Sequence, residues 1–88
     1  YESWFNRGVA LRHSGKLTEA VNSYDKAIAL RPDDYKAWTN RGNVLFSLDR
    51  LQEAVASYDR VLELNPDDER AKQSLAMAIK RLSSKQGK

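Results

Sequence analysis

The chain has 88 residues, 41% of them hydrophobic and 31% charged, which fits one small globular domain or part of a larger one. It has no cysteine and one histidine, His13, which excludes disulfide frameworks, thiol nucleophiles, thiolate metal sites and most zinc sites. The net charge of +3 is uneven: residues 1–34 sum to 0, residues 35–68 to −2 and residues 69–88 to +5. The basic character sits at the C-terminal end, so a nucleic-acid-binding stripe over the folded body is not expected.

In chain order, Trp4, Gly8 and Leu11 recur at helical spacing with Phe5 and Val9 beside them, which predicts a first helix. Ser14-Gly15 ends it, and Gly15 suits a left-handed helix terminus. A second helix follows, with Leu17, Ala20, Val21, Tyr24, Ala27, Ile28 and Leu30 as its apolar stripe. Arg31-Pro32-Asp33-Asp34 stops that helix, because proline cannot continue the ladder. An aspartate placed just after the proline can cap the next helix.

Residues 35–68 repeat this plan. They align without a gap onto residues 1–34, and 17 of the 34 pairs are identical. The shared residues include Trp4/Trp38, Asn6/Asn40, Arg7/Arg41, Gly8/Gly42, Ala20/Ala54, Tyr24/Tyr58 and Pro32/Pro66. Asp49 replaces Gly15 at the turn, and aspartate tolerates the left-handed region better than most residues. A glycine inside a helix costs about 1 kcal/mol relative to alanine. Gly8 and Gly42 therefore mark close helix crossings, with Ala20 and Ala54 as the expected opposing small residues. Residues 69–83 read as a fifth helix with Ala71, Leu75, Ala76, Ile79 and Leu82 on its apolar face, and residues 84–88 as a loose, flexible tail.

These residues make the chain similar to the tetratricopeptide repeat family. Trp4, Gly8, Ala20, Tyr24, Ala27 and Pro32 carry the pattern in the first unit, and Trp38, Gly42, Ala54, Tyr58 and Pro66 in the second. Val61 stands in an alanine slot, Leu11 and Leu45 in a tyrosine slot, and Arg7 and Arg41 in a leucine slot. The resemblance implies an all-α fold, a right-handed α-solenoid of two helix-turn-helix repeats with a capping fifth helix. The domain division is 1–34, 35–68, 69–83 and 84–88. About three repeats are usually needed for stability. The expectation is a segment of a longer protein, or a domain that self-associates through its uncapped first repeat.

No acid, base, nucleophile or metal constellation is present in the sequence. His13 reads as a solvated residue near a helix end, the Asp33-Asp34 and Asp67-Asp68 pairs as caps and turns. No glycine-rich phosphate loop occurs, so no cofactor or metal is expected, and neither is catalysis. No apolar run approaches the roughly 18 residues of a membrane span. The lack of cysteine fits a cytoplasmic compartment.

The resemblance instead implies a protein–protein interaction module whose first helices line a concave groove for a peptide or partner segment. The implied groove residues are Phe5, Asn6, Val9 and Arg12 from the first repeat, and Lys36, Thr39, Asn40, Asn43 and Phe46 from the second. The fifth helix adds Gln73, Met77 and Lys80. Glu2, His13, Ser47, Arg70, Ser74 and Arg81 fall on the same face. Asn6 and Asn40 are either two rungs of a ladder that holds peptide backbone or residues retained for folding. On the folding reading, Arg7 and Arg41 pair with acidic residues of neighbouring second helices, Asp25 being one candidate for Arg41. The family's carboxylate clamp for acidic chaperone tails needs Lys and Asn where this chain has Phe5 and Val9, so a clamp is not expected. The basic fifth helix still favours an acidic ligand. The alternative function is self-assembly through uncapped repeat surfaces, giving a homo-oligomer.

Overall fold

A computed structural model describes residues 1–86. Among the described residues there are five helices and no strand: α1 (Glu2–His13), α2 (Leu17–Leu30), α3 (Tyr35–Ser47), α4 (Leu51–Leu64) and α5 (Glu69–Gln86). Each helix packs on the next in sequence. In addition α1 touches α3 and α3 touches α5, whereas α2 and α4 do not meet. The first helices of the repeats thus form one close-set layer, and the second helices a splayed one. A stack whose one layer is tighter than the other curves toward the tight side, so α1, α3 and α5 form the inner face.

The turns explain the hairpins. After α1, the Lys16 amide donates to the Leu11 carbonyl at 2.9 Å and the Gly15 amide to the Arg12 carbonyl at 3.1 Å. This paired closure needs a left-handed residue, and Gly15 supplies it with φ 81°. Asp49 takes the same role at φ 63°, with Arg50 donating to Leu45 at 2.9 Å and Asp49 to Phe46 at 3.0 Å. Between repeats the aspartates cap as expected. The Lys36 amide donates to Asp34 Oδ1 at 3.0 Å, and the Ala71 amide to Asp68 Oδ1 at 3.1 Å. The Trp38 indole N–H donates to the Pro32 carbonyl at 2.9 Å, which ties the second repeat to the loop before it.

The main core gathers Ala20, Val21, Tyr24, Val44, Leu45, Ala54, Tyr58 and Ala78, with Phe5, Val9, Leu11 and Leu75 packed on its edge. A second cluster of Ala27, Ile28 and Ala37 is covered by Tyr1, Trp4 and Trp38. The two mid-helix glycines do mark close crossings, but the opposing group is a ring. A Cβ at Gly8 would lie 2.6 Å from Tyr24 Cε1, and one at Gly42 2.8 Å from Tyr58 Cε1. Ala20 and Ala54 are fully buried, yet the tyrosine is what requires a bare backbone.

Three expectations need correction. Leu30 ends the α2 stripe but is 58% exposed, because the chain turns away at Pro32 before anything covers it. Ala76 and Ile79 are exposed on α5, Ile79 at 48%, whereas Ala71 and Ala78 are buried and Leu75 and Leu82 half-buried. Gly8 and Gly42 are covered by the second helix of their own repeat. No such helix lies over the corresponding residue, Ala76, among the described residues, so the α5 flank of Ala76 and Ile79 faces outward. Finally, α5 runs to Gln86 rather than stopping at residue 83. Ser84-Lys85-Gln86 contains no breaker, and the Lys85 ammonium pairs with the Asp49 carboxylate of the α3–α4 turn. Of the tail assigned to residues 84–88, residues 87–88 lie outside the described residues.

Candidate functional site

The inner layer carries every groove residue expected from the sequence, and none of the twelve is buried. Two clefts open on it. One, of about 310 Å³, lies at the N-terminal ends of the helices and is lined by Phe5, Tyr35, Lys36, Thr39, Asn40, Asp68 and Arg70. The other, of about 650 Å³, lies at the C-terminal ends and is lined by Phe46, Asp49, Met77, Lys80, Arg81, Ser84 and Lys85. The structure thus brings Phe5, Lys36, Thr39 and Asn40 together in one place and Phe46, Met77 and Lys80 in another. Asn6, Val9, Arg12, Asn43 and Gln73 line neither cleft.

The asparagines have unlike surroundings. Asn6 is exposed, while Asn40 and Asn43 are half-buried. The Tyr58 hydroxyl donates to Asn43 Oδ1 at 2.6 Å, so that amide is engaged inside the fold. The equivalent of Asn43 in the first repeat is Val9, which offers no acceptor. The buried Tyr24 hydroxyl accordingly has no hydrogen-bond partner, although Arg12 and Asn40 lie beside it. Burial pushes both phenols above their usual value, and the neighbouring polar groups only partly offset the shift. The Tyr1 phenol, partly buried and beside the Asp34 carboxylate, is pushed up to about 12.

Polar contacts behind the inner face hold the layer in register. Arg41 Nε donates to Asp25 Oδ1 at 2.6 Å, as the repeat comparison suggested, and Arg41 Nη1 to the buried Ser57 hydroxyl at 2.6 Å. The guanidinium also sits 5.8 Å from the Trp38 ring centroid. On the inner face the Arg81 guanidinium carbon lies 4.6 Å from the centroid of Phe46. His13 is exposed in the last turn of α1. Among the described residues no group of His, Asp and Glu side chains is placed to hold a metal ion, and no helix is long and apolar enough to cross a membrane.

Sequence reasoning missed Tyr35, Asp49, Asp68, Ser84 and Lys85 as cleft residues. Tyr35, Asp49 and Asp68 belong to turns and helix starts, where the sequence assigns Asp49 and Asp68 backbone roles and gives Tyr35 no role. Ser84 and Lys85 fall in the stretch that reads as a loose tail. The repeat frame held a signal for α5, since residue 81 stands where Ser47 does, but it gave no reason to continue the helix past residue 83.

The family model of the tetratricopeptide repeat matches residues 5–69. No curated protein matches the chain. Among solved structures, the first TPR of Spaghetti (RPAP3) bound to the HSP90 peptide SRMEEVD is 34% identical with a TM-score of 0.87, over 91% of this chain and 64% of that one. The first TPR domain of human RPAP3, solved by NMR, is 34% identical with a TM-score of 0.88, over 96% of this chain and 66% of that one. A crystal structure of MamA reaches a TM-score of 0.90 at 24% identity, over 93% of this chain and 48% of that one, a likeness of fold alone. The chain therefore spans just under two thirds of the RPAP3 domains and about half of MamA.

Proposed function

This chain belongs to the tetratricopeptide repeat family, whose members serve as protein-interaction modules, and on that footing we propose that it holds a peptide or extended partner segment across α1, α3 and α5. The observation that carries this reading is the pair of clefts at the two ends of one inner face, with half-exposed side chains of mixed chemistry between them. An extended segment laid across that face meets apolar surface at Phe5, Phe46 and Met77 and amides at Asn6, Asn40 and Gln73. An amide offers both donors and an acceptor to peptide backbone. The RPAP3 domain holding an HSP90 peptide supports a peptide as the kind of ligand. The family's carboxylate clamp is not available to this chain, because Phe5 and Val9 are apolar where the clamp places Lys and Asn. Apolar contact and backbone pairing replace the clamp, and the module performs no chemistry of its own.

The test is a peptide selected from a displayed random library against the intact chain, then titrated against the Asn40→Ala/Phe46→Ala double variant. Both residues are only half-buried, so the fold should survive, as checked by circular dichroism. Affinity should fall about tenfold or more, the loss of one apolar anchor and one amide contact. Equal affinity in a folded double variant would move the site off the inner face.

Self-association is a second reading, and one observation favours it. Ala76 and Ile79 present apolar surface on the flank of α5 away from Met77 and Arg81. A second copy stacked there would cover it.

A further inference from the structure

The two ends of the inner face differ in charge. In the N-terminal cleft Lys36 and Arg70 stand with Asp68, whose carboxylate caps α5. In the C-terminal cleft the one acid, Asp49, is engaged by Lys85. Lys80 and Arg81 form no ion pair among the described residues. That cleft therefore carries two uncompensated positive charges beside an apolar floor.

The floor is Phe46 and Met77, the latter 57% exposed. Arg81 lies over the Phe46 ring at 4.6 Å. A guanidinium over a ring face leaves its in-plane N–H groups directed outward, where they can fork onto a carboxylate. At about 650 Å³ the cleft is of the size of established ligand pockets. Thioether and ring surface are adaptable partners for an aliphatic or aromatic side chain. Apolar surface and carboxylate donors stand side by side, so the chemistry that fits is a pair of adjacent groups rather than either alone.

Resting on the groove reading above, we propose that this cleft is the anchor subsite of the groove. It takes a large apolar side chain of the bound segment on Phe46 and Met77, with an adjoining Glu or Asp carboxylate on Arg81 and Lys80. An acidic segment without the apolar residue gains only screened surface attraction there, weak and sensitive to salt. An apolar segment without the acid leaves the cations unanswered. The ligand consequently lies in one direction along the groove, with its apolar-acidic step at the C-terminal ends of α3 and α5.

The experiment uses the intact chain, isotope-labelled and followed by amide chemical shifts. The probes are three acetylated peptides of equal length in a Gly/Ser background, with cores Leu-Glu-Glu, Leu-Gln-Gln and Ser-Glu-Glu. The first should bind about tenfold or more tighter than either of the others. Arg81→Gln should bring the affinity ratio of Leu-Glu-Glu to Leu-Gln-Gln down to about one. Met77→Ser should weaken both leucine peptides. Both residues are exposed, so the variants should melt like the parent. Equal affinity for the Glu and Gln cores, or an Arg81→Gln variant that keeps the ratio, overturns the anchor. Shifts confined to Phe5, Thr39 and Asn40 overturn it too but leave the groove standing. Shifts confined to α2 and α4 overturn both. No shift with any peptide up to about 1 mM overturns the anchor, and the library selection then decides the groove on its own.

Discussion

Tyr24 and Tyr58 occupy equivalent places, are both buried, and differ in one atom's surroundings. The Tyr58 hydroxyl reaches Asn43, while the Tyr24 hydroxyl reaches no partner because Val9 stands where Asn43 does. A buried hydroxyl without a partner is a cost, and one with a partner a modest gain. Tyr58→Phe should therefore destabilise the fold by about 1 kcal/mol, while Tyr24→Phe should be neutral or stabilising. Urea titrations of the two variants check this, and equal losses would contradict the asymmetry. The same phenols set an alkaline limit. Each is held neutral in the fold, so its pKa is raised above the unfolded value of 10.0. Their stabilisation is fully present below that value and lost as pH rises through the folded values, which for Tyr1 is about 12. Melting temperature should fall through this window. The fall should be shallower in the Tyr24→Phe/Tyr58→Phe double variant, where only the lysines and the remaining tyrosines titrate.

At the scale of the element, each repeat is a hairpin closed by a ring over a glycine. A methyl at Gly42 would lie 2.8 Å from a ring that is fully buried and pinned by its hydroxyl to Asn43. The ring cannot yield cheaply, so the strain outweighs the roughly 1 kcal/mol of helix propensity that alanine offers. Gly42→Ala should be net destabilising, and Gly42→Leu more so, with overpacking losses of about 1–3 kcal/mol or above. Unchanged melting of Gly42→Leu would mean that α3 and α4 do not cross as described. Between hairpins, the joint is polar. Arg41 binds Asp25 across the repeat boundary and the buried Ser57 within its own repeat. Loss of Arg41 would remove the donor to that buried serine, which gives this arginine a structural role in a slot the family fills with leucine.

For the molecule as a whole, the question is which surface is left for partners. The inner face and the Ile79 flank of α5 are separate surfaces, so the oligomeric state reports on the flank alone. Light scattering over a tenfold concentration range should return the mass of one chain throughout. A mass that climbs, and is restored by Ile79→Glu, would assign the α5 flank to self-association and leave the inner face open to a peptide. Ile79 is half exposed, so that change should not disturb the core.

Much of this was legible in 88 letters because the chain states its plan twice. A 34-residue period with shared Trp, Gly, Tyr and Pro determines the first four helices, their turns and the Asp34 and Asp68 caps, and makes Asp25 a candidate partner for Arg41. These are local or nearest-neighbour facts, and a repeat encodes its nearest neighbours in its own period. What tertiary structure alone decided lies where the period is broken or the contact is distant. The pairing of Asp49 with Lys85, the extension of α5 to Gln86, the outward turn of Ile79 and the gathering of Phe46, Met77 and Arg81 depend on how α5 sits against the α3–α4 hairpin. No second helix follows α5 among the described residues, so its sequence positions do not carry the burial they have in a full repeat. The orphaned Tyr24 hydroxyl has the same origin: one valine in place of asparagine is a minor substitution on paper, and packing makes it a buried polar group without a partner.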